Sequence, residues 1–309
     1  MTSRDRLKAL LVAVLWGCNV VAIDIGLDDF PPLFFAGLRF AVIAVPTVLF
    51  VRPPSVPWRW VVGYGVSFGV IQFGFLFVAI DLGMPPGLAS LVLQSSAPFT
   101  VLLGVLLLRE RLTVRQVVGL SVAVLGLASV ALTHSVVSVR ALPVLLTVLA
   151  ALGWAVGTLC SRLARSRQPL RLVLWMSVVP PVPLFALSLA LEGPGADWAA
   201  LRDVSAGRAW TGVAALGYIV VLTTVVGSGI WSALLSRYPA GVVAPYSLAV
   251  PVAGVLASWL VRGERPAVAE VAAGVVVVAG LLLGTGTAKG RPRTCEQQHI
   301  REGDRSGVP

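Results

Sequence analysis

A few polar and aromatic side chains interrupt otherwise apolar stretches of this chain, near the middle of each stretch. They are Trp16 with Asn19, Gln72, Gln94 with Ser95, Trp154, and Tyr246 with Ser247. Amide and hydroxyl groups can hydrogen-bond a small polar molecule, and tryptophan rings can wall the space around it. At mid-depth in a bilayer such side chains usually face the bundle interior or a water-filled cavity. We therefore predict that they line one central cavity, although Ser95 and Ser247 could equally bond their own helix backbone.

Arg39 lies well inside an apolar stretch, and a cation at that depth needs a partner. Asp24, near the end of the preceding stretch, is a candidate for that partner or for a selectivity residue. The sequence leaves open whether Arg39 contacts a substrate carboxylate or only ties helices together. Glu110 and Glu264 begin loops, where helix capping and pairing with neighbouring arginines favour a structural role.

Pro98 and Pro251 lie near the middle of two further apolar stretches. A proline removes a backbone donor and kinks a helix, and the freed carbonyls are tolerated where they line a cavity. We expect these prolines to act as hinges or as packing residues, with direct contact to a substrate as the alternative.

The elements that must position these residues are transmembrane helices. The 309 residues are 57% hydrophobic and 12% charged, which a soluble domain of this size could not hide in its core. We predict an all-α integral membrane protein with ten spans of about 20 residues each. In chain order, spans 1 to 10 are residues 8–26, 32–51, 60–81, 86–108, 114–133, 140–161, 170–191, 210–233, 240–261 and 267–287. Residues 288–309 are polar and are expected to form a disordered cytoplasmic tail.

The net charge of +10 indicates orientation and not nucleic-acid binding. Arginine and lysine are concentrated before span 1, in the loops after spans 2, 4, 6 and 8, and in the tail. The opposite loops hold only Arg140, Arg202, Arg208, Arg262 and Arg265. By the positive-inside rule both termini are cytoplasmic and the protein is a multi-pass protein of the cell inner membrane. Cys18, Cys160 and Cys295 are too scattered to predict a disulfide framework or a metal site.

Two parts of the chain repeat one another. Glu110 precedes Gly126 by 16 residues, and Glu264 precedes Gly280 by the same interval. The spacing of 23 residues from Tyr64 to Gly87 recurs from Tyr218 to Gly241. Because each half has an odd number of spans, the second half enters the bilayer from the opposite side. We predict an inverted pair of five-helix repeats, residues 1–133 and 134–287, around a central cavity, which is typical of transporters.

These residues resemble the EamA family of the drug/metabolite transporter superfamily over about residues 5 to 287. The matching segments are Trp16-Gly17-Cys18-Asn19, Gly37-Leu38-Arg39-Phe40, Gly63-Tyr64-Gly65, Gln72-Phe73, Gly83-Met84-Pro85, the run from Gly87 to Gln94, Arg237-Tyr238, and the run from Val243 to Val252. The resemblance implies ten helices in two inverted repeats and export of amino-acid-like metabolites such as O-acetylserine, cysteine or related neutral amino acids. The family usually has lysine where this chain has Asp24, which reverses a charge near the outer mouth.

We therefore expect a secondary exporter that works by alternating access and uses no cofactor. Asn19, Gln72, Gln94, Tyr246 and Ser247 would hydrogen-bond the ammonium and carboxylate groups of the substrate, and Trp16 and Trp154 would wall the cavity. Protons are one candidate for the coupling ion. The chain is long enough for a monomer to suffice, and a dimer is left open.

Two other classes of function have partial support in the sequence. Gly65-Val66-Ser67-Phe68-Gly69 spells the GxSxG motif of serine hydrolases, but it lies within span 3 and has no histidine base, so a helix contact is favoured and an enzyme is not expected. The alternative transporter is a broad-specificity exporter of aromatic or cationic drug-like compounds. The depth of Trp16 and Trp154 favours it, because tryptophan rings stack on flat or cationic ligands.

Overall fold

The structure is a computed structural model, and it describes residues 1–109, 141–238 and 240–264 together with isolated residues between 114 and 125 and between 271 and 279. All regular secondary structure in this part of the chain is helical. Spans 5 and 10, Glu110 and the proposed tail lie mainly or wholly outside the described residues. The prediction of ten spans in inverted repeats therefore stays a prediction.

The other eight predicted spans coincide with apolar helices. Seven are long and apolar enough to cross a membrane: Ser3–Leu27, Pro32–Phe50, Trp58–Asp81, Pro86–Leu108, Ala141–Ala164, Pro169–Leu191 and Trp210–Leu235. The helix of span 9 is shorter, Tyr246–Arg262. A further short helix, Pro194–Ser205, joins spans 7 and 8. The chain is thus a helical, multi-pass membrane protein, and prolines at the first turns of spans 2, 4 and 7 fit the position where their missing N–H is not needed.

The described junctions between helices collect at two ends of the bundle, as the hydrogen bonds between them show. We call the end that holds Ser3 the amino end and the other the far end. At the amino end the Tyr238 hydroxyl, at the close of span 8, donates to Asp5 Oδ2 at 2.8 Å. There too, the Trp175 indole of span 7 donates to the Val51 carbonyl after span 2 at 3.1 Å.

The far end is tied by carboxylates that accept hydrogen bonds from the starts of helices. Asp29, between spans 1 and 2, accepts from the Gly212 backbone N–H at 2.7 Å, in the first turn of span 8. Glu192, at the end of span 7, accepts from the Leu33 N–H at 2.6 Å, in the first turn of span 2. Negative charge is stabilising at a helix N-terminus, so these contacts fasten the far end in place.

The two halves of the chain are packed into one another. Span 1 packs against spans 8 and 9, span 6 packs against spans 3 and 4, and span 2 packs against span 7. Glycines allow the closest approaches. A Cβ added at Gly17 would lie 2.6 Å from the Val250 carbonyl of span 9, and one added at Gly157 would lie 2.8 Å from Phe68 Cβ of span 3.

Spans 3 and 8 each contain a stretch of wide, π-type helix, Gly65–Gln72 and Tyr218–Gly227. These stretches occupy corresponding places, since each begins within two residues of the repeated Gly-Tyr pair. Spans 4 and 9 instead contain tight 3₁₀ turns, Leu93–Ser95 and Ala244–Leu248. A proline ring in a helix clashes with the carbonyl group four residues earlier. For Pro98 that carbonyl belongs to Gln94, and for Pro251 it belongs to Ser247. Both residues lie within the tight turns, so the prolines account for the local change of helix type.

Candidate functional site

The bundle encloses a cavity of about 420 Å³ between the two halves of the chain. Spans 1, 2, 3, 4, 6, 7, 8 and 9 all contribute to its walls. Its polar and aromatic lining comprises Trp16, Asn19, Arg39, Phe40, Tyr64, Phe68, Gln72, Phe73, Ser90, Gln94, Trp154, Thr158, Ser161, Arg162, Thr223, Thr224, Ser228, Trp231 and Ser232. The cavity runs from mid-depth to the amino end, where Arg162, Pro169 and Leu235 form its rim.

The structure brings five of the eight predicted lining residues together: Trp16, Asn19, Gln72, Gln94 and Trp154. The other three, Ser95, Tyr246 and Ser247, are not among the lining residues. The Ser95 hydroxyl donates to the Val92 carbonyl of its own helix at 2.7 Å. Tyr246 packs against the small apolar cluster of Ala9, Leu234 and Val243 at the amino end, and Ser247, its neighbour in the same tight turn, is also outside the lining.

Trp16 and Asn19 hold span 1 against the wide helix of span 8. The Trp16 indole N–H donates to the Thr223 carbonyl at 3.0 Å, and the Asn19 side chain hydrogen-bonds the Thr223 hydroxyl at 3.1 Å. Gly227 lets the indole approach, because a Cβ there would lie 2.8 Å from its Nε1. The Trp16 ring also packs against Trp231 with 5.2 Å between ring centres. One wall of the cavity is therefore fixed by contacts between the two halves.

Arg39 is not paired with Asp24 in the structure, so Asp24 is not the candidate partner that the sequence offered, and its role in selectivity stays a prediction. Asp24 instead forms an ion pair with Arg262 at the end of span 9, and the same guanidinium reaches Asp28 Oδ2 at 2.8 Å. The physical reason is position: Asp24 and Arg262 both lie at the far end, whereas Arg39 lies at mid-depth and faces the cavity. This pair closes the far end between spans 1 and 9.

The Arg39 guanidinium lies in the cavity wall against aromatic rings. Its central carbon is 3.8 Å from the centre of the Phe73 ring and 5.5 Å from that of Phe40. Its Nη2 is 3.4 Å from the Thr224 hydroxyl of span 8. No described residue that lines the cavity is acidic. The wall therefore carries positive charge at mid-depth, where a cation–π contact supplies only about 2 kcal/mol or slightly more.

Gln72 is 2% exposed and ends the wide helix of span 3, next to Phe73. Its Oε1 atom is buried with no hydrogen-bond partner, and the same holds for Nε and Nη1 of Arg39. Buried polar groups are normally paired, so unmet donors and an acceptor at one cavity indicate a binding site for a polar molecule. The Arg39 donors suit a negatively charged group and the Gln72 acceptor suits a positively charged one, so the site fits a molecule that carries both a negative and a positive charge.

The remaining predicted residues are outside the cavity. Glu264 accepts a hydrogen bond from the Ser258 hydroxyl of span 9. Its expected pairing with a neighbouring arginine stays a prediction, because Arg265 lies outside the described residues. Pro98 and Pro251 are buried within spans 4 and 9 and do not line the cavity, so the alternative of direct contact to a ligand there is not supported.

Sequence reasoning missed part of the lining that span 8 contributes. Ser228, Trp231, Ser232 and Leu235 face the cavity, and their spacing of three or four residues is that of one face of a helix. That spacing is visible in the sequence and could have identified this face of span 8 as part of the lining. Aromatic residues of span 3, such as Phe68 and Phe73, had no comparable signal, because the wide helix changes the period at which side chains return to one face.

Comparison with known proteins agrees with this architecture. The model of the EamA-like transporter family matches residues 6–132 and again 141–285. The chain is 39% identical to proteins named "Probable amino-acid metabolite efflux pump" from Escherichia coli (strain K12) and Salmonella typhimurium (strain LT2), over 92% of this chain and 95% of each relative. A solved structure, described only as that of a protein, is 24% identical with a TM-score of 0.52 over 92% of this chain and 99% of that one. That likeness concerns the fold alone.

Proposed function

The chain belongs to the EamA-like transporter family, and from this we propose that it exports small amino-acid-like metabolites across the cell inner membrane by alternating access. The substrates would be O-acetylserine, cysteine or related neutral amino acids. The observation that carries this proposal is the central cavity, which presents unpaired Arg39 donors and an unpaired Gln72 acceptor at mid-depth. The printed names of the two relatives with 39% identity support an amino-acid metabolite as cargo.

The proposed architecture is ten spans in two inverted repeats. The contacts of span 1 with spans 8 and 9 have counterparts in those of span 6 with spans 3 and 4, as an exchange of the two halves requires. The wide and tight helical turns recur in corresponding spans. The two matches to the family model, one in each half, give independent support. In such a transporter, one repeat rocks against the other around a midplane site.

The form of the cavity suggests which step of the cycle this conformation represents. Its rim is at the amino end, and the Asp24–Arg262, Asp29–Gly212 and Glu192–Leu33 contacts fasten the far end. The distribution of arginine and lysine favours an amino end that faces the cytoplasm. In this proposal a substrate enters from the cytoplasm, and the far-end contacts break to release it outside.

A broad-specificity exporter of aromatic or cationic compounds is the second candidate. The rings of Trp16, Phe68, Trp154 and Trp231 in the walls favour it. The charge of the lining opposes cationic substrates, because Arg39 lies at mid-depth and no described lining residue is acidic. The charge of the lining therefore favours the amino-acid proposal over cationic substrates.

Efflux from proteoliposomes preloaded with labelled cysteine, O-acetylserine or a lipophilic aromatic cation would test the proposal. The wild type should release the amino acids and retain the cation. Gln94→Leu should reduce amino-acid efflux at least about fivefold, since a lost polar partner costs about 1–3 kcal/mol. Gln168→Leu is the matched control, because Gln168 is exposed between spans 6 and 7. Release of the cation without amino acids would overturn the proposal in favour of the second candidate.

A further inference from the structure

Arg39 is a charged side chain at mid-depth whose hydrogen-bonding capacity is mostly unused. It is 6% exposed and points into the cavity wall from span 2. Its Nε and Nη1 atoms have no partner, and its contact with Thr224 is long at 3.4 Å. A buried guanidinium normally has an acidic partner, and none is present among the described residues of the lining. The charge is therefore incompletely compensated while the cavity is empty.

The surroundings of Arg39 restrict which ligand could pair with its unused donors and balance its charge. The Phe73 ring covers one face of the guanidinium at 3.8 Å, which leaves the edges of the group as the sites for a ligand. A guanidinium edge presents parallel N–H donors that match the two oxygens of a carboxylate. Water or a hydroxyl could satisfy the donors but would not balance the charge. The geometry favours a carboxylate.

A complementary acceptor lines the same cavity as this donor. Gln72 adjoins Phe73 in the chain, and its buried Oε1 has no partner. An amide oxygen accepts from an ammonium group and carries no charge that would repel a carboxylate. Arg39 and Gln72 come from spans 2 and 3, which pack together in the first half of the chain. The pair could hold the two ends of an α-amino acid.

We propose that Arg39 anchors the carboxylate of the transported molecule and that Gln72 Oε1 accepts a hydrogen bond from its ammonium group. This rests on the proposed function and deepens it. The site selects molecules with a free carboxylate and leaves the substrate side chain to the aromatic walls formed by Trp16 and Trp231. Amines, esters and cationic compounds without a carboxylate are poor ligands, whatever their side chain.

A purely structural role for Arg39 is the rival explanation. In that case Arg39 would tie span 2 to Phe73 of span 3 and Thr224 of span 8, and its loss would lower stability without changing which ligands bind. The two explanations therefore differ in ligand preference. Stability alone does not separate them.

The test measures binding of three related thiols to the purified full-length protein in nanodiscs by calorimetry. L-Cysteine carries both charges, cysteamine lacks the carboxylate, and 3-mercaptopropionate lacks the ammonium group. The wild type should bind cysteine at least about tenfold more tightly than either analogue, since each loses a charge-assisted hydrogen bond. Arg39→Met should remove the preference for cysteine over cysteamine, and Gln72→Leu should remove the preference over 3-mercaptopropionate.

Two further variants keep the test decisive. Arg39→Lys retains the charge in a shorter donor group, so it should fold where Arg39→Met does not and should keep only part of the preference. Arg202→Met is the matched control, because Arg202 also lies over a ring, Trp198 at 5.8 Å, but outside the cavity lining. It should bind all three thiols as the wild type does.

The outcomes distinguish this proposal from the function on which it rests. If the wild type binds cysteine and cysteamine equally, or if Arg39→Met and Arg39→Lys keep the full preference, the anchor is wrong while an amino-acid exporter remains. If the wild type binds no amino acid, including O-acetylserine and aromatic amino acids, the proposed function fails and the anchor fails with it.

Discussion

The close approach of spans 1 and 9 makes Gly17→Ala a direct test of how the two halves meet. A Cβ at Gly17 would lie 2.6 Å from both the Ala253 Cβ and the Val250 carbonyl oxygen, and 2.8 Å from the Gly254 nitrogen. None of these atoms is the end of a flexible side chain. Because ordinary contact begins at 3.4 Å, the two helices must separate by about 0.8 Å at this point.

The expected cost follows from two opposing effects. Overpacking of a well-packed site costs about 1–3 kcal/mol, and three rigid contacts place this site in the upper part of that range. Replacement of a mid-helix glycine by alanine returns about 0.5–1 kcal/mol. We expect Gly17→Ala to lower stability by about 1–2 kcal/mol, and to slow export because Trp16 and Asn19 of the cavity move with span 1.

The assay is thermal unfolding of the purified protein in mild detergent, together with cysteine efflux from proteoliposomes. Gly74→Ala is the matched control, since its added Cβ would make ordinary contacts of 3.5 and 3.7 Å with leucine side chains. The control should be as stable as the wild type or slightly more stable. Equal melting temperatures for Gly17→Ala and Gly74→Ala would refute the close packing of spans 1 and 9.

Two further predictions concern contacts that join the halves. Asp24→Lys places a second cation beside Arg262, whose remaining acidic partner is then Asp28. The far end should therefore open more often, and disulfide formation between cysteines introduced at the far ends of spans 1 and 9 should become slower. Unchanged rates would show that the ion pair does not close this end. Trp16→Phe removes the 3.0 Å hydrogen bond to the Thr223 carbonyl and should cost about 1 kcal/mol in thermal unfolding, with Trp198→Phe, an exposed tryptophan, unchanged. A Trp16→Phe variant as stable as the control would contradict that bond.

The sequence predicted the helices better than it predicted their rotation. Apolar runs and charged loops were sufficient to locate the eight spans that the structure describes, because length and composition determine what can cross a bilayer. Depth also singled out Asn19, Gln72 and Gln94, which line the cavity in the structure. It could not show that Ser95 turns back to its own helix or that Tyr246 packs at the amino end. Depth gives no direction around the helix axis.

The sequence also could not predict which side chains of distant spans pair with one another. The position of Asp24 near the end of span 1 makes it a candidate partner for Arg39, whereas the structure pairs it with Arg262 of span 9. The choice depends on which helices become neighbours, and no local pattern encodes that. Arg39 was singled out for its depth, but its contact with Phe73 across spans 2 and 3 depends on the same packing.

The wide helical stretches in spans 3 and 8 also change the number of residues per turn, and with it the directions in which side chains point around the helix axis. On either side of Gly65–Gln72 and of Tyr218–Gly227, side chains return to one face about every 3.6 residues, and within these stretches they return later. If such a stretch converted to ordinary α-helix, the same residues would make a larger fraction of a turn. One end of the span would then rotate about the helix axis relative to the other end. Gln72 and Thr223 lie in those stretches, so such a twist would move a cavity group around the helix axis.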